Sequence, residues 1–213
     1  MSVKIPILSL RYFISINPHL AFNEIRHSNH PESDAIIAYL YDISLIQHKT
    51  ALALLEYLQH CGNIGPNKAD SVLLRDETSI VMKAELIISY LKATIEKNIA
   101  LIAAIHSLPS PTDLKSHKKR LELLRRRIPD TIRTTPYGEL IFEFIGSEHL
   151  EELNKYRTAI LHKKGLAQLQ PHSFTKNEMF LDLPFGEIFS FLHHQHVKNS
   201  SVFLSSLALL TGR

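Results

Sequence analysis

Between residues 32 and 61 the chain has neither glycine nor proline, and Ile36, Leu40, Ile43, Ile46, Thr50, Leu54, Tyr57 and Cys61 recur at intervals of three and four. That spacing lines them up on one face of an α-helix. Ile37, Leu45, Leu52, Leu55 and Leu58 fall off the line, so the helix is apolar around much of its girth and is expected inside a bundle. The run Gly62-Asn63-Ile64-Gly65-Pro66-Asn67 stops it. A second span without glycine or proline covers 67–108, with Ile80, Ala84, Ile87, Leu91, Ile95, Ile102 and Ile105 at helical spacing. Asp76, Glu77 and Thr78 suit its start, and a helix over 77–106 would be about 45 Å long. Two long helices joined by a short Gly-Pro loop predict an antiparallel hairpin within an all-α bundle.

Pro109-Ser110-Pro111 interrupts the chain, and Thr112 or Asp113 can cap a helix over 113–128 whose apolar stripe is narrow: Leu114, Leu121, Leu124 and Ile128. Pro136-Tyr137-Gly138 marks a loop, and Leu140 to Ile145 reads as a short strand or a helical turn. Ser147 is placed to cap a helix running through 151–165. Residues 185–197 and 201–210 read as two further apolar helices. The first 33 residues carry no single pattern, although 3–16 suits a strand or strand pair and Ser33 or Asp34 a helix cap. With no internal repeat and no low-complexity linker, 1–213 is expected to be one domain: a core of 34–165, an N-terminal extension of 1–33 and C-terminal helices over 184–211.

Composition narrows the classes. Apolar residues at 45%, charged residues at 21%, seven glycines and no tryptophan describe a globular chain and argue against a β-rich barrel. No glycine-rich phosphate loop occurs. One cysteine, Cys61, excludes an internal disulfide framework and is expected in the core of a reducing compartment. No apolar run is long enough to span a bilayer, and Ile5-Pro6-Ile7-Leu8 is too short for a signal peptide, so a soluble cytoplasmic protein is expected. The net charge of +3 permits a nucleic-acid partner without requiring one.

The basic charge is not spread evenly. Lys115, Lys118, Lys119, Arg120, Arg125, Arg126 and Arg127 stand against only Asp113 and Glu122 on the 113–128 helix. Such a face either tracks a phosphate backbone or is simply solvated. No aromatic residue is interleaved there, so base stacking is not indicated. The segment 151–165 adds Arg157 and His162, followed by Lys163 and Lys164. A guanidinium grips phosphate through a planar fork, and an imidazole moves protons near neutral pH.

This arginine, four residues, then a histidine, placed after two long helices and a basic helix, resembles the HEPN superfamily of α-helical bundles over residues 34–165. Many of its members are ribonucleases of toxin–antitoxin, defence or RNA-processing systems. The resemblance implies metal-independent RNA cleavage at a homodimer interface, with no cofactor. Arg157 would hold the scissile phosphate, while His162 would serve as general base on the ribose 2′-hydroxyl or as general acid on the leaving oxygen. A 2′,3′-cyclic phosphate would result. Lys163, Lys164, Arg125, Arg126 and Arg127 would bind RNA, and an antitoxin or other partner protein fits the same setting. On an ideal helix, however, residues five apart project roughly 140° from one another. Either the helix loosens before Gly165, or two copies of the chain share the site.

Two rival readings remain: a non-cutting RNA-binding or partner-binding adaptor of the same fold, and a metal-dependent bundle enzyme using scattered histidines. His193-His194-Gln195-His196 lacks companion Cys, Asp or Glu at ligand spacing and reads as helix-end residues. His48 and His106 fall within the long apolar spans and read as core or interface groups. Asp76-Glu77, Glu122 and Glu151-Glu152 suit helix starts and exposed faces.

Overall fold

The stretch free of glycine and proline folds as a single helix, α2 (Ser33–Asn63), preceded by α1 (Pro18–His27) and followed by an equally long α3 (Leu74–Ile105). The computed structural model describes residues 18–63, 74–108, 117–146, 149–158 and 185–212. Then come α4 (His117–Arg127), α5 (Asp130–Arg133), α6 (Pro136–Gly146), α7 (His149–Thr158) and α8 (Phe185–Thr211). Every regular element among the described residues is a helix, as an all-α fold requires. The strand expected at 3–16 and the cap at Ser147 lie outside those residues, as does the side chain of Cys61.

Of the two readings open for Leu140 to Ile145 the helical one holds, since they belong to α6, and the loop expected at Pro136-Tyr137-Gly138 is corrected, because those residues begin the same helix. Its start is set by Thr135, whose Oγ1 accepts the Gly138 N–H at 3.0 Å while Pro136 takes the first helical position. The two C-terminal helices are one, because no glycine or proline lies between Gly186 and Gly212. The polar stretch Lys198-Asn199-Ser200-Ser201 looks like a break, yet Asn199 and Ser200 are buried, and the Asn199 carbonyl accepts the Asn98 side-chain amide at 3.0 Å.

The chain groups into two compact units: Met1–His48 with Ala93–Ser147 and Lys198–Arg213, and Lys49–Lys92 with Glu148–Val197. In the first, Phe22 and Ile25 of α1, Ile36, Leu40 and Ile43 of α2, Leu101 and Ala104 of α3, and Phe203 of α8 form one apolar cluster. Burying each large aliphatic side chain contributes about 2 kcal/mol. Asn29 (φ 55°) and Ser107 (φ 50°) take the left-handed conformation just past α1 and α3. The second closes a Schellman motif, with Ser107 N–H to the Ala104 carbonyl at 3.0 Å and Leu108 N–H to the Ala103 carbonyl at 2.9 Å. His106 is thereby fixed at the end of α3, half-buried, with its ring 6.1 Å from that of Tyr137.

The second unit is held by aromatic stacking of α8 on its neighbours. Tyr57 stacks on Phe189 with centroids 6.3 Å apart, and Tyr156 on Phe191 at 3.9 Å. Lys92 donates to Asn154 at 2.7 Å, Gln195 donates to Glu152 at 3.0 Å, and Lys83 pairs with Glu56, holding that carboxyl below its usual range.

The buried line of α2 matches the spacing, since Ile36, Leu40, Ile43, Thr50, Leu54 and Tyr57 are all within the core. The off-line residues divide: Ile37 and Leu58 are partly buried, whereas Leu45, Leu52 and Leu55 are 43%, 47% and 38% exposed. His48, on the same face, is exposed too.

A candidate nucleic-acid interface

The basic helix is described over His117–Arg127, and the caps expected at Thr112 or Asp113 lie outside the described residues. Leu124 and Ile128 are its buried anchors, and Arg125, Arg126 and Arg127 are all exposed in its last turn. Cations are favoured there, because a helix C-terminus carries partial negative charge. Six cations stand against Glu122 alone along α4.

A chain reversal directly after α4 gives this surface its shape. Pro129 ends the helix, α5 makes a single turn, and α6 folds back to pack on both α4 and α5. The return is so close that a Cβ on Gly138 would lie 1.7 Å from the Ile132 carbonyl oxygen. Because α5 and α6 approach so tightly, Arg133 is drawn over the group. Its Nε meets Asp130 at 3.1 Å, its Nη2 donates to the Arg125 carbonyl at 2.8 Å, and its guanidinium lies 4.7 Å from the centre of the Phe142 ring. Arg125 in turn reaches back to Gly146 at the end of α6, where its Nη2 would lie 2.3 Å from an added Cβ. Asp130, Glu139 and Glu143 are also exposed, so carboxylates border the arginines.

Arg157 lies on α7. Its side chain lies outside the described residues, as do His162, Lys163 and Lys164. The structure sets a fourth arginine, Arg133, which spacing alone did not select, against the backbone carbonyl of Arg125 at the end of α4. Arg133 and Phe142 were missed because nine positions separate them, and only the reversal through Thr135-Pro136 makes them neighbours.

The histidine run is not at a helix end. It lies in the middle of α8, where His194 is exposed, His193 stacks on Phe189 at 5.7 Å, and Gln195 and His196 are 2% and 5% exposed. A longer helix than expected accounts for the difference. Among the described residues no group of three or more His, Cys, Asp or Glu is arranged to hold a metal ion.

Burial, then the neighbouring His193, pushes His196 down to about 4. Burial also lowers His106, with His30 as the second cause, and His193, with His194 as the second. His30 accepts the Glu32 N–H on Nδ1 at 3.1 Å, so its Nε2–H donates to the Ile105 carbonyl at 3.0 Å. Tyr137, pushed up to about 12 by burial with Ser206 opposing, stays protonated near neutral pH.

These shifts set an acid sensitivity. The unfolded chain takes up a proton on His196 near pH 6.5, whereas the folded chain does so only near 4, so stability falls as pH falls between those values. Going from pH 7 to 5 is expected to remove about 2 kcal/mol through this residue. Urea midpoints at the two pH values measure it, and His196→Leu should flatten the difference by that amount. An equal acid loss in the variant would show that His196 is not its source.

No family model matches this sequence, and no curated protein or solved structure matches it. Among the described residues no helix is long and apolar enough to cross a membrane.

Proposed function

We propose that this protein binds RNA through the arginine surface of α4 and α5 and cuts it without a metal, in the manner that its resemblance to the HEPN superfamily implies. The observation that carries the binding half is the exposed arginine run Arg125 to Arg127 in the last turn of α4. Adjacent guanidinium groups at a helix end suit a chain of phosphates better than an isolated acidic ligand. The cleaving half rests on Arg157 and His162: the guanidinium stabilises charge on the scissile phosphate, and the imidazole transfers the proton. Lys163 and Lys164 add positive charge beside them.

Pairing of two copies belongs to the same proposal. Leu52, Leu55, Met82 and Leu86 of the second unit are 47%, 38%, 63% and 44% exposed, next in sequence to the charged pair Glu56 and Lys83. Large apolar side chains gathered on a surface favour association. Incubation of labelled single-stranded RNA with the protein in EDTA tests the whole. Cleavage to 2′,3′-cyclic phosphate ends is expected. Salt-sensitive binding without cleavage would assign the non-cutting adaptor, and cleavage only after metal is added would assign the metal enzyme.

A further inference from the structure

Arg133 is held differently from its neighbours. Most surface arginines sweep through many rotamers, but this one is held from three directions: by Asp130 at Nε, by the Arg125 carbonyl at Nη2, and by the Phe142 ring, over which its guanidinium carbon lies 4.7 Å from the centre. Its side chain nevertheless remains 47% exposed. Phe142 itself is half-buried on α6, so the ring is anchored in the fold. A guanidinium held over an aromatic ring is a planar, weakly hydrated group on which a further ring can be laid.

We infer that the Arg133–Phe142 stack is a platform for one unpaired nucleobase, and that this surface selects single-stranded over double-stranded RNA. The inference rests on the RNA-binding reading and specifies its substrate class. Three features point to a base and not to a further phosphate. Asp130 already occupies Nε and the Arg125 carbonyl Nη2, so much of the donor fork that would grip a phosphate is taken. Its plane is fixed, which lowers the ordering cost of stacking. Its neighbour is Arg125, whose own carbonyl it binds, so the exposed Arg125 to Arg127 run lies within a helical turn to hold the adjoining phosphates. In a duplex each base face is covered by the next pair, whereas a single strand can lay a base on Arg133.

The test is fluorescence anisotropy of the full chain with a labelled single-stranded oligoribonucleotide and with the same sequence as a duplex. Arg133→Lys keeps the charge and removes the plane; Phe142→Leu keeps apolar bulk and removes the ring. Each is expected to weaken single-strand binding about tenfold while leaving duplex binding and the salt dependence as they were. Arg126→Ala, in contrast, should weaken both RNAs alike. Melting curves establish that the variants are folded, and Arg133→Lys, on the surface, reads the platform even where Phe142→Leu unfolds. Unchanged single-strand affinity in Arg133→Lys, with wild-type binding intact, overturns the platform and leaves the RNA reading standing. Failure of the wild-type protein to bind either RNA removes both.

Discussion

Arg157→Ala and His162→Ala are each expected to lower RNA cleavage in EDTA about a hundredfold or more. Removing a donor to a developing oxyanion and removing a general acid or base each have effects of that order. Arg157→Lys should recover little, because an ammonium lacks the planar fork that fits two phosphate oxygens. RNA affinity should change far less than turnover if, as proposed, Arg125, Arg126 and Arg127 supply the binding charge. Mixing the two inactive variants adds a second reading. If one copy contributes the arginine and its partner the histidine, mixed pairs restore part of the activity; if the helix loosens within a single chain, they restore none. Wild-type cleavage by either variant would end the catalytic proposal and leave the binding surface untouched.

Gly138→Ala is expected to destabilise the protein by about 3 kcal/mol. The added methyl group would lie 1.7 Å from the Ile132 carbonyl oxygen and 2.6 Å from its carbon, and both are backbone atoms. No rotamer change relieves such an overlap. The α6 helix must lift off α5, which also strains the Thr135 cap and the seat of Arg133 over Phe142. Gly146→Ala is the control, because the atom in its way is the end of the flexible Arg125 side chain. Alanine also favours helix over glycine, so that variant should lie within about 1 kcal/mol of wild type. Urea midpoints of the two variants give the comparison. A Gly138→Ala protein as stable as Gly146→Ala would contradict the close packing of α5 on α6.

The long helices were legible in the sequence because thirty residues without glycine or proline leave the backbone few alternatives, and the buried line from Ile36 to Tyr57 could be read off by spacing. Spacing did not reveal how wide that buried face is. Leu45, Leu52 and Leu55 look like core residues on a helical projection, yet they face solvent, since apolar character alone does not say what lies opposite. The C-terminal helix was divided in two because Lys198 to Ser201 is polar, and a buried Asn199 bonded through its carbonyl is invisible without the partner helix. The arginine run was plain from composition. Arg133 and Phe142 were not, since a contact made by chain reversal has no periodicity to betray it. No aromatic residue stands within the basic helix, and the ring that Arg133 lies over comes from α6.

The central claim is that Arg125, Arg126 and Arg127 form an RNA-binding surface, and the affinity of the intact protein for single-stranded RNA as a function of salt concentration tests it most directly. The logarithm of the association constant should fall linearly with the logarithm of salt concentration, with a slope of about −2 or steeper. Each arginine replaced by alanine should make the slope shallower by about 0.7. A flat salt response, or a steep one that survives replacement of all three, would contradict the account.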